Sequence, residues 1–309
     1  MSISIIIRCL NEEKHIVTLL EGIQQQNIKD YEVILVDSGS TDRTIEKALQ
    51  FSVKIVHIKP EDFSFGYALN KGCEIATGEI LLFASAHVYP VYDDWLLQIT
   101  SPFQNPKVGL VYGKQIGGPS TKFSEHQLFK RWFPEESIPN QHYPFCNNAN
   151  CAIRKSLWLS RKYDESLTGL EDLAWAKELL LDQGYVYYNA HAEIVHIHEE
   201  TPSKIRNRYR REAIALKRIM PNEKFSIFDF LAMSASNIFS DYWHALRQGK
   251  IIKNLYDIPM FRINQFWGTY KGYKQVGTIS QQLRKRFYYP NGVRTSKKEN
   301  ISRHRIKYN

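Results

Sequence analysis

The amino-acid sequence predicts an α/β protein, with helices on both faces of a mostly parallel sheet and a helical region at the carboxyl end. Over the first 110 residues, short apolar runs alternate with segments of helical period. Alternation of strand and helix is typical of a parallel sheet that is buried on both faces. From about residue 225 the chain stays helical in period but becomes rich in aromatic and basic residues.

The first half of the chain contains four predicted strands, at residues 3–9, 31–37, 53–58 and 79–84. Asn11 is predicted to cap the first helix, with Glu12 and Glu13 in its first turn. Further helices are predicted from about Asp42, around 65–77 and over 93–103.

Polar residues follow three of these strands. Ligands of open α/β sheets bind at the carboxyl ends of the strands. Those ends are residues 8–11, 37–40 and 85–87, so we expect a ligand site there.

After Pro106 the alternation breaks, and the remaining elements are predicted one by one. Strands are expected at 108–118 and 149–155, separated by a long loop with one or two helical turns over 119–145. A helix at 171–184, one or two strands over 185–198 and a helix from Pro202 to about Ile219 follow.

Charge divides the chain unevenly. The net charge is +9, but residues 201–309 hold 23 Lys and Arg against 6 Asp and Glu, so residues 1–200 carry −8. Such asymmetry suggests that the basic end meets nucleic acid or an anionic membrane surface. We expect a main domain over 1–219, a helical, aromatic and basic region over 220–283, and a disordered basic tail over 284–309.

The four cysteines form no C-x-x-C pair and no secreted disulfide framework, so reduced cytosolic thiols are expected. The start of the chain has no pattern of a signal peptide, and no run of about 18 uncharged apolar residues is present. The chain is therefore expected to be soluble or peripheral to a membrane.

Five segments, in order over residues 3–200, carry a family resemblance: SIIIRCLNEEKHIVTLLEGIQQQ, YEVILVDSGSTDRT, GEILLFASAH with DDWL, GLEDLAWAKELL and VHIH. Together they resemble a family 2 glycosyltransferase of the GT-A fold. The form VDSGSTD resembles the rhamnosyltransferase members. The resemblance implies an inverting transfer from a nucleotide-diphosphate donor, with dTDP-rhamnose as the first choice and a UDP-sugar as the second. The implied acceptor is a hydroxyl of a lipid-linked glycan in capsule or O-antigen synthesis.

The resemblance also assigns donor-binding residues. Asp37 would hold the base or ribose, with Ser38 where the family commonly has a second acid; the alternative for Asp37 is an acid that caps a turn. The remaining implied donor contacts are Arg8, Leu10, Asn11, Glu12, Gly66, Asn70, Lys71, Ser85 and Ala86. For Asn70 and Lys71, an ordinary helix with a solvated lysine is the alternative.

Residues 85–87 occupy the position of the family's D-x-D motif, where acids hold a divalent cation that bridges the diphosphate. His87 stands at the place of the second acid. Three alternatives remain open: His87 binds a metal, it contacts the diphosphate without a metal, or it is structural. His196 and His198 alternate on a strand and so share a face, which makes an all-histidine site conceivable. Imidazole suits Mn²⁺, Zn²⁺ or Co²⁺ better than Mg²⁺.

Glu171 and Asp172 begin a helix. In inverting members the second acid takes the proton of the acceptor hydroxyl, so the resemblance implies that Asp172 is the base. A neighbouring Glu171 carboxylate would raise the pKa of Asp172 toward working pH. The alternative is that the pair only complements the helix dipole.

Acceptor contacts are assigned to aromatic and amide residues that precede the strand at 149–155. Aromatic faces suit sugar rings, and amides suit sugar hydroxyls. The candidates are Trp132, His142, Tyr143, Asn147 and Asn148.

The basic, aromatic carboxyl end predicts docking on an anionic membrane, so we expect a cytoplasmic protein at the inner face of the plasma membrane. A solvated helical cap is the alternative. Two other classes of protein remain as alternatives. A nucleotidyltransferase would need a Gly-rich phosphate loop, and RCLNEEKH has no glycine. A nucleic-acid-binding protein would need a reader motif, and none is recognisable.

Overall fold

Four parallel strands form the first half of the sheet. The computed structural model describes residues 1–275, and the predicted tail over 284–309 lies outside the described residues. These strands are β1 (Ile3–Cys9), β2 (Tyr31–Asp37), β3 (Lys54–His57) and β4 (Ile80–Ser85). β1 lies between β2 and β4, and its register pairs Arg8 with both Val36 and Ser85. The predicted strand ends therefore meet at one edge, as the sequence indicated.

The connecting helices of this half are α1 (Ile16–Gln24), α2 (Thr44–Ala48) and α3 (Phe65–Ile75). The prediction that Asn11 caps α1 is wrong, because the cap position belongs to His15 and no acid lies in the first turn. Asn11 instead has a φ of 56°. Its Oδ1 accepts a hydrogen bond from the Thr41 backbone N–H at 2.8 Å. The side chain thus joins the ends of β1 and β2 rather than starting a helix.

The second half of the sheet is mixed in direction. Its elements are β5 (Val88–Pro90), α4 (Trp95–Thr100), β6 (Val108–Gly117), α5 (Phe123–Trp132), β7 (Ile138–Gln141), β8 (Asn150–Arg154), α6 (Lys155–Ser160), α7 (Glu171–Leu181) and β9 (Tyr185–His196). The strand order is β3-β2-β1-β4-β8-β6-β9-β5, with β7 also on β9. β6 and β9 are parallel, whereas β8 is antiparallel to both of its neighbours.

Three short elements of this half differ from the sequence prediction. No strand was predicted between residues 84 and 93, but Pro90 ends β5, an edge strand where a missing N–H is tolerated. The predicted loop over 119–145 holds the ten-residue helix α5 and strand β7. Their amphipathic signal was masked by polar residues such as Glu125, which are buried for reasons described below.

Apolar side chains fill both faces of the sheet. One core lies under α1 and α4 and includes Ile5, Leu82 and Trp95. The other lies under α3 and α7 and includes Ile6 and Phe83. The alternation of neighbouring residues between the two cores is the period-2 pattern of strands, so the sheet is buried on both faces as predicted.

Three helices form the carboxyl region: α8 (Pro202–Ile219), α9 (Ile227–Arg247) and α10 (Asp257–Tyr273). α10 packs closely on α8, since a Cβ added at Gly268 would lie 2.4 Å from the carbonyl oxygen of Arg206. Arg262 of α10 pairs with Asp241 of α9 at 2.7 Å and donates to the Ser124 carbonyl. The carboxyl region therefore contacts α5, which holds Ser124. Within residues 1–275, no helix has the length and apolar character needed to cross a membrane.

Candidate active site

A cavity opens where β1, β2 and β4 end. Its volume is about 170 Å³. Six residues predicted to bind the donor line it: Arg8, Leu10, Glu12, Ser38, Ser85 and His87. The other lining residues are Cys9, Phe63, Phe65 and Arg211. The strand-end rule thus located the site, because parallel strands bring distant segments to one edge.

Asp37 lies buried behind this cavity, at the end of β2. Its Oδ1 accepts a hydrogen bond from the Ser40 backbone N–H at 3.0 Å, and its Oδ2 lies 3.2 Å from Nδ1 of His57. Gly39, which lies between Asp37 and Ser40 in the turn, has a φ of 99°, a value that glycine adopts without strain. Asp37 therefore stabilises the turn that follows β2, and Ser38 of this turn lines the cavity.

Three histidines converge beside the cavity. His87 follows β4, His196 ends β9, and His198 follows two residues later. One ligand nitrogen from each lies within 4.8 Å of the others. The ring centroids of His196 and His198 are 4.0 Å apart, and that of His87 is 5.1 Å from His196. The shared face predicted for the two strand histidines is present, and the structure brings His87 to it.

Each of these rings is oriented through its Nδ1 by an oxygen of another side chain. The partner of His87 is Glu12 at 2.9 Å, and the partner of His196 is Gln115 at 2.8 Å. His198 pairs with Glu125 at 2.7 Å, a buried carboxylate that Arg208 also contacts. A metal-binding histidine commonly has such a partner on its second nitrogen, which fixes the ring and leaves Nε2 for the metal.

Burial and charge act on these groups in opposite senses. Burial favours the neutral form of His87, but the charge and hydrogen bond of Glu12 raise its pKa above the usual value. Burial, with His198 and His87 close by, lowers the pKa of His196 well below normal. Burial would raise the pKa of Glu125, but His198 and Arg208 lower it to about 2. His196 is therefore a neutral imidazole. It lies next to His87 and His198, each of which pairs with a carboxylate.

The nitrogens of the three histidines form a ligand set that fits a divalent metal. Nε2 of His196 is buried and has no hydrogen-bond partner among the described residues, which is costly unless something binds there. Three imidazoles with fixed rings are a ligand set that suits Zn²⁺, Co²⁺ or Mn²⁺ and suits Mg²⁺ poorly.

The two acids at the start of α7 lie side by side and buried. Asp172 accepts hydrogen bonds from the backbone N–H of Asn148 at 2.9 Å and of Leu173 at 2.8 Å. Glu171 lies 3.4 Å from Arg8, which lines the cavity. Burial, and then the Glu171 charge, raise the pKa of Asp172 to about 7. A carboxyl group with this pKa exchanges its proton near neutral pH, as a general base requires.

Arg211 on α8 is a cavity residue that the sequence did not single out. Its guanidinium lies 4.4 Å from the ring centroid of Phe65, and that of Arg8 lies 4.6 Å from the same ring. Two fixed guanidinium groups therefore lie at the cavity where D-x-D acids are absent. The one signal was the basic run RYRR at 208–211, which looked like part of the general charge of the carboxyl end.

Gly66, Asn70 and Lys71, which were assigned to the donor, are not among the residues that line the cavity. A Cβ at Gly66 would collide with the Asp164 carbonyl, so this glycine permits close packing of α3 on that segment. Asn70 is buried, and its amide bonds Trp158, Tyr163 and Glu165. Lys71 pairs with Glu74 on the surface.

Asn11 and Ala86, two further donor contacts implied by the resemblance, are also absent from the cavity lining. Asn11 accepts hydrogen bonds from Thr41, as described above, and Ala86 is buried in the core under α1 and α4.

The predicted acceptor residues separate into two groups. Asn148 lies between the acids: its backbone bonds Asp172, its amide donates to Glu171 at 3.3 Å, and its Oδ1 is buried with no hydrogen-bond partner among the described residues. Asn147 is next to it and bonds the Ala149 N–H. The other candidates lie elsewhere: Trp132 packs on Phe145 within an apolar cluster, whereas His142 and Tyr143 are exposed.

The fold and the site define a glycosyltransferase of the GT-A fold. Residues 4–161 match the model of glycosyl transferase family 2, and the chain belongs to that family. Two solved structures superpose on it. The mannosyltransferase PcManGT from Pyrobaculum calidifontis, with GDP-Man and Mn²⁺, has a TM-score of 0.57 at 15% identity, covering 94% of this chain and 88% of that one. S. aureus TarS 1–349, with UDP-GlcNAc, has a TM-score of 0.53 at 16% identity, covering 88% and 90%. These likenesses show the fold alone.

Two curated relatives indicate the range of the family. The O-antigen chain rhamnosyltransferase RfbN of Salmonella typhimurium is 24% identical over 222 residues, which cover 68% of this chain and 70% of that protein. The dolichyl N-acetyl-alpha-D-glucosaminyl phosphate 3-beta-D-2,3-diacetamido-2,3-dideoxy-beta-D-glucuronosyltransferase of Methanococcus voltae is 34% identical over 131 residues. The match spans 40% of the length of that second relative and 40% of this chain.

Proposed function

We propose that the protein is an inverting glycosyltransferase that moves a sugar from a nucleotide-diphosphate donor to a hydroxyl of a lipid-linked glycan in surface-polysaccharide synthesis. The leading donor is dTDP-rhamnose, and a UDP-sugar is the second choice. The form of VDSGSTD and the similarity to the Salmonella rhamnosyltransferase support this choice. The protein would work on the cytoplasmic side, at the inner face of the plasma membrane.

The observation that carries the proposal is the buried Asp172, whose pKa is raised to about 7 at the start of α7. In an inverting transfer, one base removes the proton from the acceptor hydroxyl as that oxygen attacks the anomeric carbon. The bond from that carbon to the diphosphate breaks in the same displacement. Asp172 would accept the proton. The charge of Glu171 would support this role by keeping the pKa of Asp172 near working pH. Asn148, whose Oδ1 is available, would accept a hydrogen bond from a sugar hydroxyl.

The cavity would take the donor diphosphate. Negative charge builds up on the leaving phosphate, and preorganised cations at that position stabilise the transition state. Arg8 and Arg211 provide two such cations, and both guanidinium groups lie over the Phe65 ring. The nucleoside would extend toward Ser38 at the end of β2.

His87, His196 and His198 would hold the divalent metal through their Nε2 atoms. When bound, the metal would neutralise charge on the diphosphate. The residues that orient the rings (Glu12, Gln115 and Glu125) would set the geometry of the site. The alternative, in which His87 donates directly to the diphosphate, needs the same position of the ring and differs in its dependence on metal.

A donor screen tests the proposal. Purified full-length protein is incubated with dTDP-rhamnose, UDP-sugars and GDP-sugars, and donor binding and slow donor hydrolysis are measured with and without EDTA. Preferred binding of dTDP-rhamnose supports the donor assignment, and preference for another nucleotide sugar replaces it. Asp172→Asn should retain donor binding and lose transfer. Intact transfer in that variant would remove Asp172 from the role of base.

A further inference from the structure

The long helix α9 carries an exposed apolar stripe that has no cover among the described residues. Phe228 and Phe239 are 78% and 74% exposed, and Trp243 is 53% exposed. With Leu231 and Leu246, which are also exposed, these residues project within an arc of about 120° when successive residues are placed about 100° apart. Single exposed apolar residues need no explanation, but a contiguous stripe along a helix marks an interaction surface.

The same helix buries a different face against the protein. Ser234, Asp241 and Ala245 are buried, and Asp241 pairs with Arg262 of α10. The apolar stripe is therefore not the face by which α9 packs on its own chain. The helix is held in place by one face and offers a second apolar face to the surroundings.

A neighbouring segment extends this surface. Ile252 and Tyr256 are 89% and 76% exposed, and Leu255 is exposed as well. The hydroxyl of Tyr242 donates to the Leu255 carbonyl at 2.6 Å, so the segment lies beside the carboxyl half of α9. We call the combined surface of the α9 stripe and residues 252–256 the α9 surface.

Charge differs between the two ends of the α9 surface: the exposed Asp229 lies next to Phe228, whereas the carboxyl half is basic. Between Leu231 and Tyr256 the exposed charged side chains are Arg247, Lys250 and Lys253. The single acid of this stretch is the buried Asp241, which is already paired. An apolar helix face with a tryptophan and flanking basic residues matches the interface of a bilayer that contains anionic lipids.

We propose that the α9 surface lies in the headgroup region of an anionic bilayer, with Phe228, Phe239 and Trp243 among the acyl-chain ends and Lys250 and Lys253 at the phosphates. The proposal rests on the proposed function for its purpose, because a lipid-linked acceptor is presented at such a surface. Its geometry depends only on α9 and the adjoining residues 248–256. A second copy of the chain is the competing occupant, and contact through the basic carboxyl halves of two such surfaces would bring like charges together.

The test uses the full-length protein and vesicles of phosphatidylcholine with or without phosphatidylglycerol. Flotation should show binding to the anionic vesicles. Phe228→Ser combined with Phe239→Ser should weaken it about ten-fold or more, given the apolar area removed. A matched control is Leu159→Ser with Leu181→Ser, because those leucines are 63% and 67% exposed on α6 and α7. The control should bind as the unchanged protein does.

A second measurement reports insertion directly. Trp243 is the one exposed tryptophan of the six in the chain, all of which lie among the described residues. Brominated lipids should quench its fluorescence, and the quenching should be lost in Trp243→Phe, which retains vesicle binding. The quenching should also be lost in the double variant that carries Phe228→Ser and Phe239→Ser.

Two outcomes would overturn the proposal. One is undiminished flotation of the double phenylalanine variant without quenching of Trp243, which would assign binding to the basic residues alone. The other is self-association in sedimentation that the same substitutions abolish, with no vesicle binding, which would assign the face to a second copy. Donor hydrolysis in the absence of vesicles should be equal in all of these variants. If it is absent in every one, including the unchanged protein, the proposed function fails separately.

Discussion

Arg8 and Glu171 form an ion pair of 3.4 Å between the end of β1 and the start of α7. Arg8 lines the donor cavity, whereas Glu171 is adjacent to Asp172. This contact therefore joins the group proposed to bind the leaving diphosphate with the acid next to the proposed base Asp172. It also explains why two segments 163 positions apart belong to one site.

The pH dependence of transfer should follow Asp172. The base must be ionised, and its pKa is raised to about 7, so kcat/KM should rise with pH through about 7 and level off above it. Asp172→Asn should reduce kcat by at least about a hundred-fold, within the usual range of a lost general base. Asparagine offers one acceptor oxygen to the two backbone donors that Asp172 satisfies, so thermal unfolding must be compared as a control.

Glu171→Gln should move the same pH profile toward acid. Burial is the larger cause of the raised pKa of Asp172, and the Glu171 carboxylate is the next. Removal of that negative charge makes ionisation of Asp172 easier, so the rise in kcat/KM should occur at lower pH. An unmoved midpoint would show that Glu171 does not influence the base. The substitution Glu178→Gln, on the same helix, is a suitable control.

Arg211→Ala should weaken binding of the donor diphosphate. Loss of a charge-assisted contact costs about 1.5–3 kcal/mol, which corresponds to an affinity change of roughly ten-fold or more. Calorimetry with the free nucleoside diphosphate measures it directly. Lys204→Ala removes an exposed cation from the same helix and should have little effect. Equal losses in both variants would indicate a general charge effect.

The three-histidine site should bind Zn²⁺, Co²⁺ or Mn²⁺ more tightly than Mg²⁺. Competition with a coloured chelator measures this affinity without any assay of activity. His196→Ala should abolish tight binding, and Gln115→Ala should weaken it by about 10–100-fold, as loss of an orienting partner does. His191→Ala is a matched control, because His191 is exposed on the same strand β9. Metal binding that survives in His196→Ala would place the metal elsewhere.

Arg262→Met should destabilise the carboxyl region. It would leave Asp241 as an unpaired buried charge, which costs about 3–5 kcal/mol. The combined change Arg262→Met with Asp241→Leu should recover much of that loss, since a buried pair replaced by apolar groups is often neutral. Chemical unfolding followed by far-ultraviolet circular dichroism gives both values. Equal destabilisation of the single and double variants would contradict the role of the ion pair.

Apolar periodicity was sufficient to predict the strands of the first half and the length of α8, because burial on both faces imposes it. It was also sufficient to place Arg8, Ser38 and His87 at one edge. Periodicity could not show that the amide of Asn70 is buried and bonds its own chain, since in sequence such an amide looks the same as one that contacts a ligand. Only three-dimensional packing distinguishes the two.

Arg211 shows the opposite failure. The residue reaches the cavity because α8 returns across the sheet edge, more than 200 positions after β1. No local pattern encodes that return. The oxygens that orient His196 and His198 were missed for the same reason, since Gln115 of β6 and Glu125 of α5 approach these rings only in the folded chain.

Gly268 has a consequence for the interpretation of genetic screens. α8 holds Arg211 at the cavity, and a side chain at Gly268 would collide with the α8 backbone at Arg206. A substitution such as Gly268→Val would therefore displace α8 and, with it, Arg211. Inactive alleles that map to this glycine would look like evidence for recognition of the glycan by the carboxyl helices. They would instead reflect the loss of close packing between α8 and α10.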